Sequence, residues 1–190
     1  MSSFTEQLIK NKNNILLNRA QIQQKVKELA AQISKDYQGK TPVLICVLNG
    51  SFSFFTDLVR NLTIDCEVDF VKISSYGDAL KSTGKVNALK HVDCPLEGRD
   101  VIIVEDIIDT GLSVRFLRQW INKLNPATMQ FVALLVKEGT AVVDYECEYF
   151  GFRIGKEFVI GYGLDYKQLF RNLPEIYIMP DMLLQAMNKK

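Results

Sequence analysis

Short apolar runs recur along this chain, each closed by a polar or glycine-containing segment, and stretches of helical spacing lie between them. Residues 15–36 place Ile15, Leu16, Ile22, Val26, Leu29, Ala30 and Ile33 at helical intervals with Lys, Gln and Glu between them, which predicts an amphipathic helix. Pro42 to Leu48 is continuously apolar and predicts a buried strand; Asn49-Gly50-Ser51 ends it, and Phe52 to Leu62 predicts a helix. Cys66 to Ile73 is β-rich and predicts another strand. Ser74 to Lys90 is polar, contains Gly77 and Gly84, and is too long for a tight connection, so a lid or hairpin is expected there. Leu96 to Asp100 reads as a turn, Val101 to Val104 as the central strand and Ser113 to Leu124 as the helix after it. Phe131 to Val136, Phe158 to Gly161 and Ile176 to Met179 read as later strands.

Strands alternating with helices predict an α/β fold with a parallel sheet. Chemistry then belongs at the carboxyl ends of the strands, beside a switch in strand order. Two segments lie where that rule points, Leu48–Ser51 and Glu105–Ser113.

The 190 residues suit a single domain, and the formal net charge of +1 gives no global electrostatic case for nucleic acid or a membrane surface. No apolar stretch reaches membrane-spanning length and the N-terminal residues lack a signal-peptide core, so a cytoplasmic location is expected. Cys46, Cys66, Cys94 and Cys147 are widely spaced and read as buried free thiols. His91 is the sole histidine, which excludes a His-rich metal site.

The densest chemistry lies in Val101-Ile102-Ile103-Val104-Glu105-Asp106-Ile107-Ile108-Asp109-Thr110-Gly111-Leu112-Ser113. A strand that turns through Thr-Gly-x-Ser into a helix offers unpaired backbone N–H groups at the positive end of the helix dipole. With the hydroxyls of Thr110 and Ser113, this is an anion site of phosphate size. The competing reading is a plain helix cap by Asp109 or Thr110. Glu105 and Asp106 suit the vicinal hydroxyls of a ribose; the competing reading is a solvated strand end.

Glu-Asp-Ile-Ile-Asp-Thr-Gly after four apolar residues resembles the phosphoribosyl-diphosphate (PRPP) motif of type I phosphoribosyltransferases, in the version found in hypoxanthine-guanine phosphoribosyltransferases. Val47-Leu48-Asn49-Gly50-Ser51-Phe52 resembles that family's pyrophosphate loop. Ser75-Tyr76 with Ser82-Thr83-Gly84 resembles its mobile catalytic loop, and Phe158 to Asp165 with Phe170-Arg171-Asn172-Leu173-Pro174 its base-binding hood. The resemblance implies a parallel-sheet core, about residues 36–150, flanked by helices. It also implies a small hood from the N-terminal and C-terminal segments, including about 151–190.

It further implies transfer of the 5-phosphoribosyl group from PRPP to hypoxanthine or guanine, giving IMP or GMP plus pyrophosphate, in purine salvage, with Mg²⁺. Thr110, Gly111, Leu112 and Ser113 would hold the 5′-phosphate, and Glu105 and Asp106 the ribose hydroxyls. Asp109 would accept the purine N7 proton. Leu48, Asn49, Gly50 and Arg171 would hold pyrophosphate, in a loop whose first peptide bond is often cis in the family. Asp165 would contact Mg²⁺, with Glu105 and Asp106 nearby. Phe158 and Val159 would bind the purine, and Ser75 and Tyr76 would close over the site. A homodimer or homotetramer is implied, to which Phe55, Phe116 and Trp120 could contribute as well as to the core.

The sequence departs from the family at several points. Leu112 stands for the common Lys, Ser113 for Thr, and Asn49 for a Lys found in some members. Glu146 falls where the family usually has the Lys that donates to the purine 6-oxo group, and an ionised carboxylate donates nothing. Either another donor such as Lys137 serves, or Glu146 points away or is protonated, or the preferred base differs. A regulatory PRPP-fold protein that binds nucleotide or RNA is the alternative from another class, and it would want a basic surface.

Overall fold

The computed structural model describes residues 4–75 and 86–188. In chain order, α1 (Phe4–Lys10) and a 3-10 turn lead to β1 (Ile15–Leu17) and α2 (Arg19–Asp36). β2 (Val43–Leu48), α3 (Phe52–Asn61), β3 (Glu67–Ser75) and β4 (Val86–Lys90) follow. Next come β5 (Asp100–Ile108), α4 (Leu112–Ile121), β6 (Thr128–Lys137) and β7 (Tyr149–Ile154), then β8 (Val159–Ile160), β9 (Ile176–Ile178) and α5 (Asp181–Asn188).

Six strands form the main sheet in the order β4-β3-β2-β5-β6-β7. All neighbours are parallel except β3 and β4. The chain steps from β2 outward to β3, then returns past β2 to begin β5. Strand order therefore reverses between β2 and β5, and their carboxyl ends, at Leu48 and Ile108, flank the crevice that such a reversal opens. Alternation along the strands feeds two cores. Leu44, Cys46, Ile102 and Val104 pack with α2 and α3 on one face. Val43, Ile45, Val101 and Ile103 pack with α4 on the other. Full burial of such aliphatic side chains contributes roughly 1.5–3 kcal/mol each, so the strand ends rest on a well-packed base.

A second, antiparallel sheet of order β1-β9-β8 carries the hood. It has its own core, in which Leu8 of α1 and Leu183 and Met187 of α5 meet Ile160, Tyr166, Phe170 and Tyr177. The α/β architecture is as expected, a mostly parallel core between helices with a small additional sheet.

Several boundaries differ from expectation. Ile15–Leu17 is a strand of the hood, not the first turn of a helix: the side chain of Asn18 caps the backbone N–H of Gln21, and Gln21 caps Asn18 in return, so the helix starts afresh at Arg19. The central strand does not stop at Val104. It runs to Ile108 because Glu105, Ile107 and Ile108 remain in register with Ala133, Leu135 and Val136. The helix after Gly111 begins one residue earlier than expected, at Leu112, and its last three expected residues form a 3-10 turn. α1, β7 and α5 were not foreseen. The expected lid or hairpin is a hairpin at its base, with Ser75 opposite Val86. Tyr76 and Ser82-Thr83-Gly84 lie outside the described residues. All four cysteines are free, but only Cys46 is fully buried.

Candidate active site

The site grows from the end of β5. Gly111, at φ +80°, is the N-cap of α4 and offers no side-chain cap; the one side-chain contact at the helix start is a long bond from Leu112 N–H to Thr110 Oγ1, so backbone N–H groups there can meet a ligand. A cavity of about 80 Å³ lies there, lined by Glu105, Asp109, Thr110, Gly111, Ser113 and Val114 among others. Gly111 is required twice over: its φ suits glycine, and a Cβ would press into the Tyr145 ring at 2.5 Å. The turn is pinned by Val142 N–H donating to the Thr110 carbonyl at 3.0 Å. Leu112 opens the helix, its N–H 3.5 Å from Thr110 Oγ1.

Glu105 is buried and Asp106 half-buried. Loss of water raises both carboxyls, Glu105 well above its ordinary range with the Asp106 charge adding to the rise, and Asp106 to about 6. Glu105 lines the phosphate-sized cavity. Asp106 instead sits beneath the loop after β2: its N–H donates to Ser51 Oγ at 3.0 Å, and a Cβ on Gly50 would overlap its carboxylate. The Leu48–Asn49 peptide in this loop is cis.

The hood meets the same loop. A Cβ on Gly163 would overlap the Gly50 carbonyl oxygen, so the two backbones touch. Arg171 donates through Nη1 to the Gly163 carbonyl at 2.7 Å and pairs through Nη2 with Asp165 Oδ1 at 2.6 Å. Asp165 also accepts from the Gln168 N–H at 2.8 Å. The charges of Arg171 and Asp165 both act on Asp106, which places all three together.

Asp109 is paired with Lys137, Nζ to Oδ2 at 3.0 Å, and its carbonyl accepts from Thr140 Oγ1 at 3.0 Å. The structure thus groups Glu105 and Asp109 to Ser113 with Lys137 on one side, and Leu48 to Gly50, Asp106, Asp165 and Arg171 on the other. Phe158 and Val159 lie in the hood sheet. Phe158 is half-buried with its ring edge-on to Tyr166 at 5.6 Å, and neither makes a hydrogen bond or ring contact with the β5 end among the described residues. Glu146 is exposed, its carbonyl held by Arg118 at 3.1 Å. Ser75 ends β3. Phe55 is core, whereas Phe116 and half-buried Trp120, with His91 edge-on to Trp120, line a surface groove.

Ser51 and Gly163 fall within the two motifs read from the sequence but were given no role of their own, and Tyr145 was not singled out. Ser51 closes the Asn-Gly-Ser turn, and its lone hydroxyl beside an acid-bearing strand end was the available signal. Tyr145 carries no local signal, because its partner Gly111 lies far away in the chain.

Residues 12–167 match the phosphoribosyl transferase domain model. The chain belongs to the hypoxanthine-guanine phosphoribosyltransferase family. It is 40% identical over 174 residues to the hypoxanthine-guanine phosphoribosyltransferase of Streptococcus thermophilus, covering 92% of this chain and 97% of that one. A Bacillus anthracis hypoxanthine-guanine phosphoribosyltransferase structure superposes with TM-score 0.83 at 44% identity, over 87% of this chain and 98% of the other. A Staphylococcus aureus hypoxanthine phosphoribosyltransferase gives TM-score 0.88 at 37% identity, over 96% and 98%. Among the described residues no helix is long and apolar enough to cross a membrane.

Proposed function

We propose that this chain transfers the 5-phosphoribosyl group of PRPP to hypoxanthine or guanine, giving IMP or GMP and pyrophosphate, as an enzyme of purine salvage. One observation carries the reading. A small cavity at the start of α4 lies beside an acid, Asp109, and across a strand switch from the loop Leu48–Gly50.

The 5′-phosphate sits in the cavity on the N–H groups of Gly111 to Ser113 and the hydroxyls of Thr110 and Ser113. The ribose hydroxyls donate to Glu105 and Asp106, whose loss of water such donors offset. Pyrophosphate lies along Leu48, Asn49 and Gly50, with Arg171 at its oxygens. Phe158 stacks on the base and the Val159 backbone meets its edge. A purine ring nitrogen attacks C1′, the bond from C1′ to the pyrophosphate oxygen breaks, and its electron pair leaves with pyrophosphate. The proton released at N7 passes to Asp109, a carboxylate within reach of that edge. Ser75 and Tyr76 belong to the segment that excludes water from C1′.

The donors near the pyrophosphate loop are carboxylate oxygens, the hard ligands Mg²⁺ takes. Among the described residues no three acidic, His or Cys side chains are grouped to hold a metal alone, which suits an ion that keeps waters and takes substrate oxygens. Asp165, with Asp106 and Glu105, would hold it. When bound, it supplies neutralisation of the charge on the departing pyrophosphate. Assembly as a homodimer or homotetramer is part of the proposal, with the Phe116–Trp120 groove one available face.

The test is pyrophosphate release from PRPP and Mg²⁺ with hypoxanthine, guanine, xanthine and adenine in turn. Hypoxanthine and guanine should be turned over. No turnover of any base, with tight nucleotide or RNA binding instead, would overturn the proposal.

A further inference from the structure

We propose that Asp57 and Tyr162 form a positioning pair that fastens the hood to α3 and so sets where Arg171 stands relative to the loop Leu48–Gly50. This rests on the phosphoribosyl-transfer reading above. Tyr162 sits at φ +50°, between Gly161 at +95° and Gly163 at +101°. Glycine takes such values freely and tyrosine does not, so the turn at 162 needs an anchor. The Tyr162 side chain supplies it. It is buried in the core shared by α2, α3 and the sheet, and its hydroxyl donates to Asp57 Oδ2 at 2.6 Å. Loss of water, and then the bond to Asp57, pushes the phenol above its ordinary range, so it stays a donor. Gln23 of α2 donates through Nε2 to the same Asp57 oxygen. One carboxylate thus ties together α2, α3 and the hood.

The pair reaches the reaction through backbone. α3 begins at Phe52, directly after the loop, with Ser51 as its N-cap, and Asp57 lies roughly 9 Å beyond Ser51 along the helix. Gly163, next in the chain to Tyr162, lies against the Gly50 carbonyl. The hood therefore meets this segment at two points, Asp57 within the helix and Gly50 just ahead of it. Arg171 is tied to the same turn twice: its carbonyl accepts from the Gly163 N–H at 3.0 Å, and its Nη1 donates to the Gly163 carbonyl at 2.7 Å. A turn fixed at Tyr162 fixes the guanidinium against the loop. Without the Tyr162 hydroxyl the turn is free to relax, and Gly163 and Arg171 move with it. The pair acts through Arg171 and the loop, not on the reacting atoms, so its loss falls on pyrophosphate. The 5′-phosphate and base sites, at the start of α4 and at Phe158, lie outside this chain of contacts.

The experiment runs the reverse reaction, IMP and pyrophosphate to PRPP and hypoxanthine, with wild type, Tyr162→Phe, Asp57→Ala and Asp57→Asn, each melted in parallel. Tyr162→Phe keeps the buried ring and removes only the donor. It should raise KM for pyrophosphate about fivefold or more, the scale of one lost hydrogen bond, with KM for IMP within about twofold of wild type. Asp57→Ala should show the same split. Asp57→Asn keeps an acceptor oxygen and should stay within about twofold of wild type for both substrates. Equal rises in the two KM values, or a lower melting temperature with KM for pyrophosphate unchanged, would show a merely structural bond and overturn the proposal. An Asp57→Asn defect as large as that of Asp57→Ala would put the effect on the charge rather than the hydrogen bond and would equally overturn it. Absence of turnover by the wild type in either direction would instead remove the phosphoribosyl-transfer reading, and the proposal with it.

Discussion

Single atoms decide how closely the loop after β2 approaches the end of β5 and the hood. Gly50 lies against the Asp106 carboxylate, and Gly163 against the Gly50 carbonyl. A methyl at residue 50 meets the end of a side chain that can rotate. A methyl at 163 meets backbone that cannot. Gly50→Ala should raise KM for PRPP about tenfold with a stability loss of about 1 kcal/mol. Gly163→Ala should lose about 2–3 kcal/mol, since overpacking has no side chain to absorb it and φ is +101°. Paired urea melts and PRPP titrations check the order; equal stability losses would mean the loops adjust more freely than their contact implies.

Elements were legible where the local pattern and the tertiary context agree. β2 and α3 follow directly from the apolar run ended by Asn-Gly-Ser. The start of α2 was misread because Ile15 and Leu16 share the helical spacing of Ile22 and Val26, while the deciding signal, an Asn18–Gln21 capping box, is polar. Asn18→Ala should cost about 1 kcal/mol in thermal unfolding and leave kcat unchanged; no loss would mean the helix does not begin there. β5 was cut short at the acids because carboxylates rarely continue a strand, yet pairing with β6 carries it on to Ile108. That extension is also what sets Asp109 against Lys137, a pairing that needs inter-strand register and so cannot be read from either strand alone. The phosphate loop was legible because all its parts are local. The split between Glu105, at the cavity, and Asp106, beneath Gly50, was not, since it depends on a loop more than fifty positions away.

At the scale of the molecule, the sheet brings β2 and β5 together and the hood closes over their ends. Two acids held in that crevice tie stability to pH. Asp106 titrates near 6 in the folded chain and near 3.9 unfolded. Between those values the folded state binds the extra proton, so its stability falls as pH rises from about 4 to about 6. Buried Glu105 acts in the same direction. Asp106→Asn should flatten this part of the profile, by on the order of 2 kcal/mol between the two ends. Urea unfolding at steps of pH measures it, and parallel wild-type and variant profiles would show that Asp106 is not the group responsible.

The account as a whole turns on one strand end serving both halves of the reaction, the phosphate held by the helix start and the proton taken by Asp109. The most direct measurement is steady-state kinetics of Asp109→Asn with hypoxanthine and PRPP. The variant keeps the loop, the cavity and the size of the side chain but loses the proton acceptor. Its kcat should fall by about 10²–10⁴-fold, with KM for PRPP within about threefold of wild type. A kcat close to that of the wild type, or a loss confined to PRPP affinity, would contradict it.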